Sequence, residues 1–172
     1  MVAKKSNKSG DTGNSVWYAV AVVRVLLGIT FLWAFFDKLF GLGYSTVVAK
    51  AWINGGSPTT GFLKSVHGPF ADAFNAMAGQ PWADWLFMIG LLGIGLGLLF
   101  GIAVRLSVIT GSVLLLLMWM ASLPIKTNPV IDDHIVYIVV LLIVASGLEQ
   151  QKWSLAAWGQ KQSLVKSNYW LK

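Results

Sequence analysis

Apolar residues in this chain fall into long unbroken runs, and polar residues gather between them. A hydrocarbon core of about 30 Å needs roughly 20 apolar residues in a helix. Four runs reach that length, at about residues 16–38, 85–104, 106–123 and 130–148. The second carries no charge. The first is interrupted by Arg24, and the fourth reaches full length only when Asp132, Asp133 and His134 count as its first turns. Gly and Thr inside these runs do not oppose helix, because lipid forces backbone groups to pair within the segment. The pattern predicts an all-α fold: an integral membrane four-helix bundle with helices joined by short turns and one long loop.

Between the runs the chain divides simply. Residues 1–14 are polar and read as a disordered tail. Residues 41–83 form a loop long enough to need structure of its own. In it, Tyr44 to Asn54 and Pro69 to Ala78 read as short amphipathic helices, separated by Gly55-Gly56-Ser57-Pro58. Residues 149–172 place Trp153, Leu155, Trp158 and Leu164 among Lys and Gln, which suits an amphipathic C-terminal segment at a membrane interface. The first run is too long for a signal peptide. No small-residue cleavage motif precedes Asp37-Lys38, so it reads as a retained helix.

Composition sharpens this picture. Of 172 residues, 56% are hydrophobic and 12% charged, against roughly 25% charged in a soluble domain. A soluble fold could not cover its surface so sparsely, so membrane lipid is the predicted solvent. The net charge of +6 comes from basic residues clustered near the two ends, which suits membrane topology rather than nucleic acid. Orientation follows from Lys and Arg. With the N-terminus inside, Lys4, Lys5, Lys8, Arg105, Lys152, Lys161, Lys166 and Lys172 face the cytoplasm. Lys38, Lys50, Lys64 and Lys126 face out. The expectation is a multi-pass protein of the cell membrane with both termini cytoplasmic. Cysteine is absent and histidine occurs twice, which removes disulfides, thiolate chemistry and multi-histidine metal centres.

Polar residues within the runs are the candidates for chemistry. Asn128-Pro129-Val130-Ile131-Asp132-Asp133-His134 opens the fourth run. Asn128 suits a cap, Pro129 the first helical position, and an acid the helix dipole. That leaves ionisable groups where the chain enters lipid, a costly placement that usually faces a bundle interior or polar cavity. Successive helical residues point about 100° apart, so Asp132, Asp133 and His134 are not expected to converge on one ligand, and no metal is predicted. Tyr137 shares a face with His134 and with Asp133. Asp37 and Lys38 end the first run at the same depth, and Asp84 opens the second beside Trp85. Arg24 lies deeper in the inner half, where snorkelling to the interface is its expected behaviour. Gly93, Gly97 and Gly101 repeat every four residues and predict a close helix–helix contact.

A quinone requires an aromatic and aliphatic slot with hydrogen-bond donors for its carbonyls. Asp132, Asp133 and His134 are the catalytic candidates. Tyr137, Lys38, Asp37 and Trp85 are the cofactor-binding candidates. The non-enzymatic alternative is a membrane anchor or assembly subunit, with the glycine face and the long loop as docking surfaces.

Several segments resemble a known family. Arg24-Val-Leu-Leu-Gly-Ile-Thr-Phe-Leu-Trp-Ala-Phe-Phe-Asp-Lys38 is similar to the first helix of DoxX/DoxD membrane proteins. The stretch Ala51-Trp-Ile-Asn-Gly-Gly-Ser-Pro-Thr-Thr-Gly-Phe-Leu63 resembles the outer loop of the DoxD branch. Trp82-Ala-Asp-Trp-Leu-Phe87 and Asn128-Pro-Val-Ile-Asp-Asp-His-Ile-Val-Tyr137 extend the likeness. The resemblance implies the DoxD-like subunit of thiosulfate:quinone oxidoreductase. It further implies quinone as cofactor, thiosulfate oxidation at the outer face and a second subunit, DoxA, as partner. A homo-oligomer is also compatible with this layout.

Overall fold

The computed structural model describes residues 8–126 and 128–155. Among them the chain is helical and contains no strand. Four longer helices dominate: α1 (Lys8–Phe40), α4 (Pro81–Phe100), α5 (Val104–Ser122) and α6 (Asp133–Ser146). Two short helices, α2 (Thr60–Lys64) and α3 (Ala71–Met77), lie in the long loop. Helix α1 packs on α4, α4 on α5, α5 on α6, and α6 back on α1.

Helices α1 (over Gly13–Phe40), α4 and α5 are long and apolar enough to cross a membrane. They are apolar on both sides. Leu27, Phe31 and Phe35 of α1 meet Met88, Leu91, Ile94 and Leu98 of α4 in the core. Leu26, Ile29, Trp33 and Phe36 point outward from the same helix. An outward face of that kind is stable against lipid rather than water. Gly111 of α5 lies where the helices converge. A side chain there would press on Leu141, Ile94 and Phe31.

Several boundaries depart from expectation. Helix α1 starts at Lys8, inside the stretch expected to be disordered; residues 1–7, with Lys4 and Lys5, lie outside the described residues. The second helix starts earlier than expected because Pro81 fits its first turn, and it stops at Phe100 because Gly101 turns left-handed at φ 67°. The fourth helix is shorter than its apolar run. Its 14 residues span roughly 21 Å at 1.5 Å per residue, less than the hydrocarbon core. Asn128 does not cap it. The Asn128 carboxamide oxygen instead accepts from Val130 and Ile131 N–H, at 2.9 and 3.0 Å, in a local turn. Asp132, extended at φ −129°, ψ −173°, is the true N-cap. At the other end Gly147 lies under the Trp17 indole, where no side chain would fit.

In the loop, Tyr44 to Asn54 is not one helix but a bend followed by two 3-10 turns, Val48–Lys50 and Trp52–Asn54. The expected helix at Pro69 to Ala78 is present as α3. Leu63, Val66 and Phe74 of the loop pack with Ala83 and Ala121 in a second, smaller core.

Arg24 does not snorkel. Its side chain is fully buried. The last carbonyls of a helix have no partner within it, and near the end of α4 Leu98 and Gly101 are buried. The Arg24 guanidinium donates to Leu98 O, and to Leu99 O at 3.3 Å. Its other terminal nitrogen donates to the carbonyls of Lys152 and Trp153, at 3.0 and 2.9 Å. Leu155 N–H donates to Phe100 O at 2.9 Å, and Ser154 Oγ to Gly101 O at 2.8 Å. The chain after α6 is therefore packed against α4 at least to residue 155, rather than lying free at an interface. Trp158, Lys161, Leu164, Lys166, Trp170 and Lys172 lie outside the described residues.

Replacing Arg24 by Met leaves these carbonyls unpaired. At roughly 1 kcal/mol for each group stranded, the expected loss is about 2–4 kcal/mol, with Arg24→Lys recovering only part because a single ammonium cannot span both carbonyl pairs. Unfolding of the purified protein in mixed micelles measures it; an unchanged midpoint in Arg24→Met would show that the carbonyls find other partners.

Candidate functional site

Helix α1 ends, and α4 and α6 begin, at the end of the molecule that carries the long loop. The ionisable residues singled out by sequence reach this level, but they do not form one cluster. Three carboxylates each organise the backbone beside them.

Asp37 is almost fully buried. It accepts from Tyr44 N–H at 3.3 Å, from Ser45 N–H at 3.1 Å and from the Ser45 hydroxyl. Gly41, left-handed at φ 67°, permits this reversal, because a side chain there would strike the backbone of Val47 and Val48. The carboxylate thus takes the place of a ligand in folding its own loop. Asp84, in the first turn of α4, does the same for the next segment. Its Oδ1 accepts from Ser57 Oγ at 2.8 Å, Thr59 N–H at 3.1 Å and Thr59 Oγ1 at 2.5 Å. Trp85 packs edge-on against Trp52 of the loop, with ring centroids 4.7 Å apart. It clamps the loop to the start of α4.

Asp132 accepts from His134 N–H at 3.1 Å and Ile135 N–H at 3.4 Å. It also faces His134 Nδ1 at 2.7 Å. Asp133 Oδ1 is 3.9 Å from the same nitrogen. One potential ligand atom from each of the three residues lies within 4.8 Å of the others. The expectation that they would diverge assumed three successive helical positions. Asp132 precedes the helix in an extended conformation, so its side chain folds back over the first turn. A carboxylate on Nδ1 favours the proton there and leaves Nε2 as the acceptor. Tyr137 is more than one-third exposed on the next turn. Nearby, Trp119 Nε1 donates to Val130 O at 2.9 Å, tying α5 to the approach of α6.

Lys38 behaves differently. It makes no ion pair among the described residues, and its ammonium lies 5.9 Å from the Phe87 ring centroid, within cation–π range. It lines a groove of about 660 Å³ between α4 and α5. The loop residues Thr59, Phe62 and Phe74 close one end of the groove. Leu86, Ile89, Gly90 and Gly93 of α4 form one wall, and Leu106, Ile109, Val113 and Leu117 of α5 form the other. Asp37, Trp85, Asp132, Asp133, His134 and Tyr137 are not among its lining residues. Of the sequence candidates, only Lys38 reaches it.

The groove also revises the glycine pattern. Gly28 of α1 and Gly95 of α4 make the close helix contact: a side chain at Gly28 would strike the backbone at Leu99, and one at Gly95 would strike Leu32. Gly97 faces Ser107 of α5, and Gly101 is a helix cap. Gly93 has open space where a side chain would stand, as does Gly90. The groove was not legible in sequence. Gly90 and Gly93 are its only local signal, and small residues read equally well as a packing face.

No family model, curated protein or solved structure matches this chain.

Removing the Asp84 carboxylate should free residues 57–60 without unfolding the helices. Asp84→Ala is expected to speed tryptic cleavage at Lys64 by about tenfold, in line with a local loss of ~1.4 kcal/mol, while Asp84→Asn, which keeps an acceptor oxygen, stays near wild type. Timed proteolysis with intact-mass readout tests this, and equal rates in all three proteins would remove the anchoring role.

Proposed function

We propose that this protein is a membrane subunit of a quinone-linked redox system, of the kind implied by the resemblance to the DoxD-like subunit of thiosulfate:quinone oxidoreductase. In this reading the chain crosses the cell membrane as a four-helix bundle with both termini cytoplasmic. Helix α6 completes the fourth crossing together with the residues that flank it, and the long loop lies on the outer side. The implied reaction oxidises thiosulfate to tetrathionate and passes the electron pair to quinone, with a second subunit of the DoxA type as companion.

One observation carries the reading: a lysine without an ion pair among the described residues stands at one end of an otherwise apolar groove. Ligand sites of this type are mostly apolar with a few placed polar groups that fix orientation. The residues fit a quinone. Aliphatic and aromatic side chains supply the slot, and Lys38 supplies a hydrogen-bond donor for a ring oxygen. A bound quinone would supply two-electron chemistry. The chain's own contribution is to bind and orient the ring, to exclude water through Phe62, Phe74 and Phe87, and to hold a positive charge where negative charge develops. The His134–Asp132 pair offers a proton-exchanging group at the same end of the molecule, outside the groove.

The anchor reading has one observation in its favour. Tyr44, Val47, Val48 and Ile53 of the loop are exposed, Tyr44 at 77%, and an apolar loop surface of this kind suits a membrane interface or a companion protein.

Thiosulfate-dependent quinone reduction in membranes containing the chain and its co-purifying companions tests the proposal. Lys38→Met is expected to lower the rate about tenfold or more, equivalent to ~1.4 kcal/mol of lost stabilisation. His134→Ala should slow turnover; full activity would remove that residue from the proton path. Absence of bound quinone and of quinone reduction, with a stable companion still bound, would select the anchor.

A further inference from the structure

The groove is much longer than a quinone ring. Its lining on α4 runs from Trp82 to Gly97, roughly 22 Å of helix at 1.5 Å per residue. On α5 it runs from Met118 back to Leu106 and the α4–α5 turn at Ala103. It therefore extends from the loop-covered end, where Lys38 stands, most of the way down both helices. Its polar points are few: Lys38 and Thr59 at the loop end, Ser107 and Thr110 towards the turn. The Thr59 hydroxyl is engaged by Asp84 and the Thr110 hydroxyl by Leu106 O. What remains is a largely apolar channel with one cation at its head and the Ser107 hydroxyl near its far end.

The wall between head and turn contains Gly90 and Gly93, with nothing within 4 Å of where their side chains would begin. Between Trp85 and Leu92 the other residues of helix α4 are large and apolar. Glycine inside a helix costs about 1 kcal/mol relative to alanine. Close packing accounts for Gly95 and Gly97, whose added side chains would collide with Leu32 and Ser107. It does not account for Gly90 and Gly93. Their effect is to keep the groove open along its length.

We infer that this groove is a tail channel: it takes a long-chain amphiphile head-first at Lys38, with an extended isoprenoid tail along Gly90 and Gly93 between α4 and α5. Resting on the quinone reading above, this names the substrate class as a long-tailed membrane quinone rather than a tail-less or water-soluble one. An ammonium beside an apolar channel complements a head bearing electron-rich oxygens, and burial of each tail methylene favours binding. The same geometry makes Gly93 a specificity-determining residue although it bears no functional group.

The test uses the purified full chain, with quenching of its tryptophan fluorescence as the readout, since Trp82 lines the groove. Three probes are compared: a decyl-tailed benzoquinone, the same ring without a tail, and a long-chain fatty carboxylate. Wild type is expected to bind the decyl-tailed quinone at least about tenfold tighter than the tail-less ring, a modest demand given the methylenes buried. Gly93→Leu fills open space, so it should fold normally, which its thermal midpoint verifies. It is expected to erase the tail preference while changing affinity for the tail-less ring less than about twofold, a change too small to represent a lost methylene contact. Gly93→Ala should keep most of the preference. A wild-type tail preference that survives intact in Gly93→Leu overturns the tail channel and leaves the quinone reading standing. Binding of the fatty carboxylate alone, with loss in Gly93→Leu, supports the channel and overturns the quinone reading. Failure of all three probes to bind wild type overturns both.

Discussion

The structure depends on a buried arginine that finishes another helix. Helix α4 ends at the buried Leu98 and Gly101, its last carbonyls have no partner within the helix, and a buried carbonyl left unpaired costs free energy. Arg24 reaches across from α1 and satisfies Leu98 and Leu99, while its second terminal nitrogen holds Lys152 and Trp153. The positive charge also suits the negative end of the α4 dipole. This arrangement fixes the antiparallel register of α1 against α4. With Arg24 at Leu98, Gly28 meets Leu99 and Gly95, Leu32 meets Gly95, and Lys38 arrives beside Phe87. The position of the candidate ligand-binding lysine is thus a consequence of a hydrogen-bonding requirement at the opposite end of the same helix pair.

At the loop end, the acids serve the backbone. Asp37 folds residues 44–46 onto the end of α1, Asp84 holds residues 57–59 over the start of α4, and Asp132 caps α6. Each does locally what a ligand could otherwise do, by accepting from N–H and O–H groups that would be left unpaired near lipid. Asp37 adjoins Lys38 in sequence, yet its oxygens are occupied by Ser45 and Tyr44. The lysine is left at the groove with an aromatic ring as its near contact. A charge in that position is a reason to look for a ligand head group, and the apolar walls below it are a reason to look for a tail.

The four crossings, the long loop and the polar level at the loop end were expected from sequence, and their outcomes differ. Helix α1, helix α4 and helix α5 stand as long apolar helices. The fourth apolar run yields only the shorter helix α6, because Asn128 spends its side chain on a turn and passes the cap to Asp132. The candidate site was named in sequence at Lys38, while the convergence of Asp132, Asp133 and His134 was not expected, because it depends on Asp132 preceding the helix in extended backbone. The site was not legible as a groove, because nothing in the spacing of Gly90, Gly93, Gly95 and Gly97 tells which glycines touch a neighbour and which face open space.

By itself, the sequence determined which segments must be helical and apolar, since length, hydropathy and the demand for internal hydrogen bonding in lipid leave few alternatives. It also determined which ionisable residues lie at each helix end. Only the tertiary structure decided what those residues do. Whether Asp37 faces a ligand or its own loop depends on how the chain reverses after Gly41. Whether Arg24 snorkels or caps, and whether Gly93 packs or faces open space, depends on which atoms another helix brings near, within about 3 Å for a hydrogen bond. Those atoms are far apart in sequence. The spacing of residues along one helix fixes the direction of a side chain and carries no information about its partner.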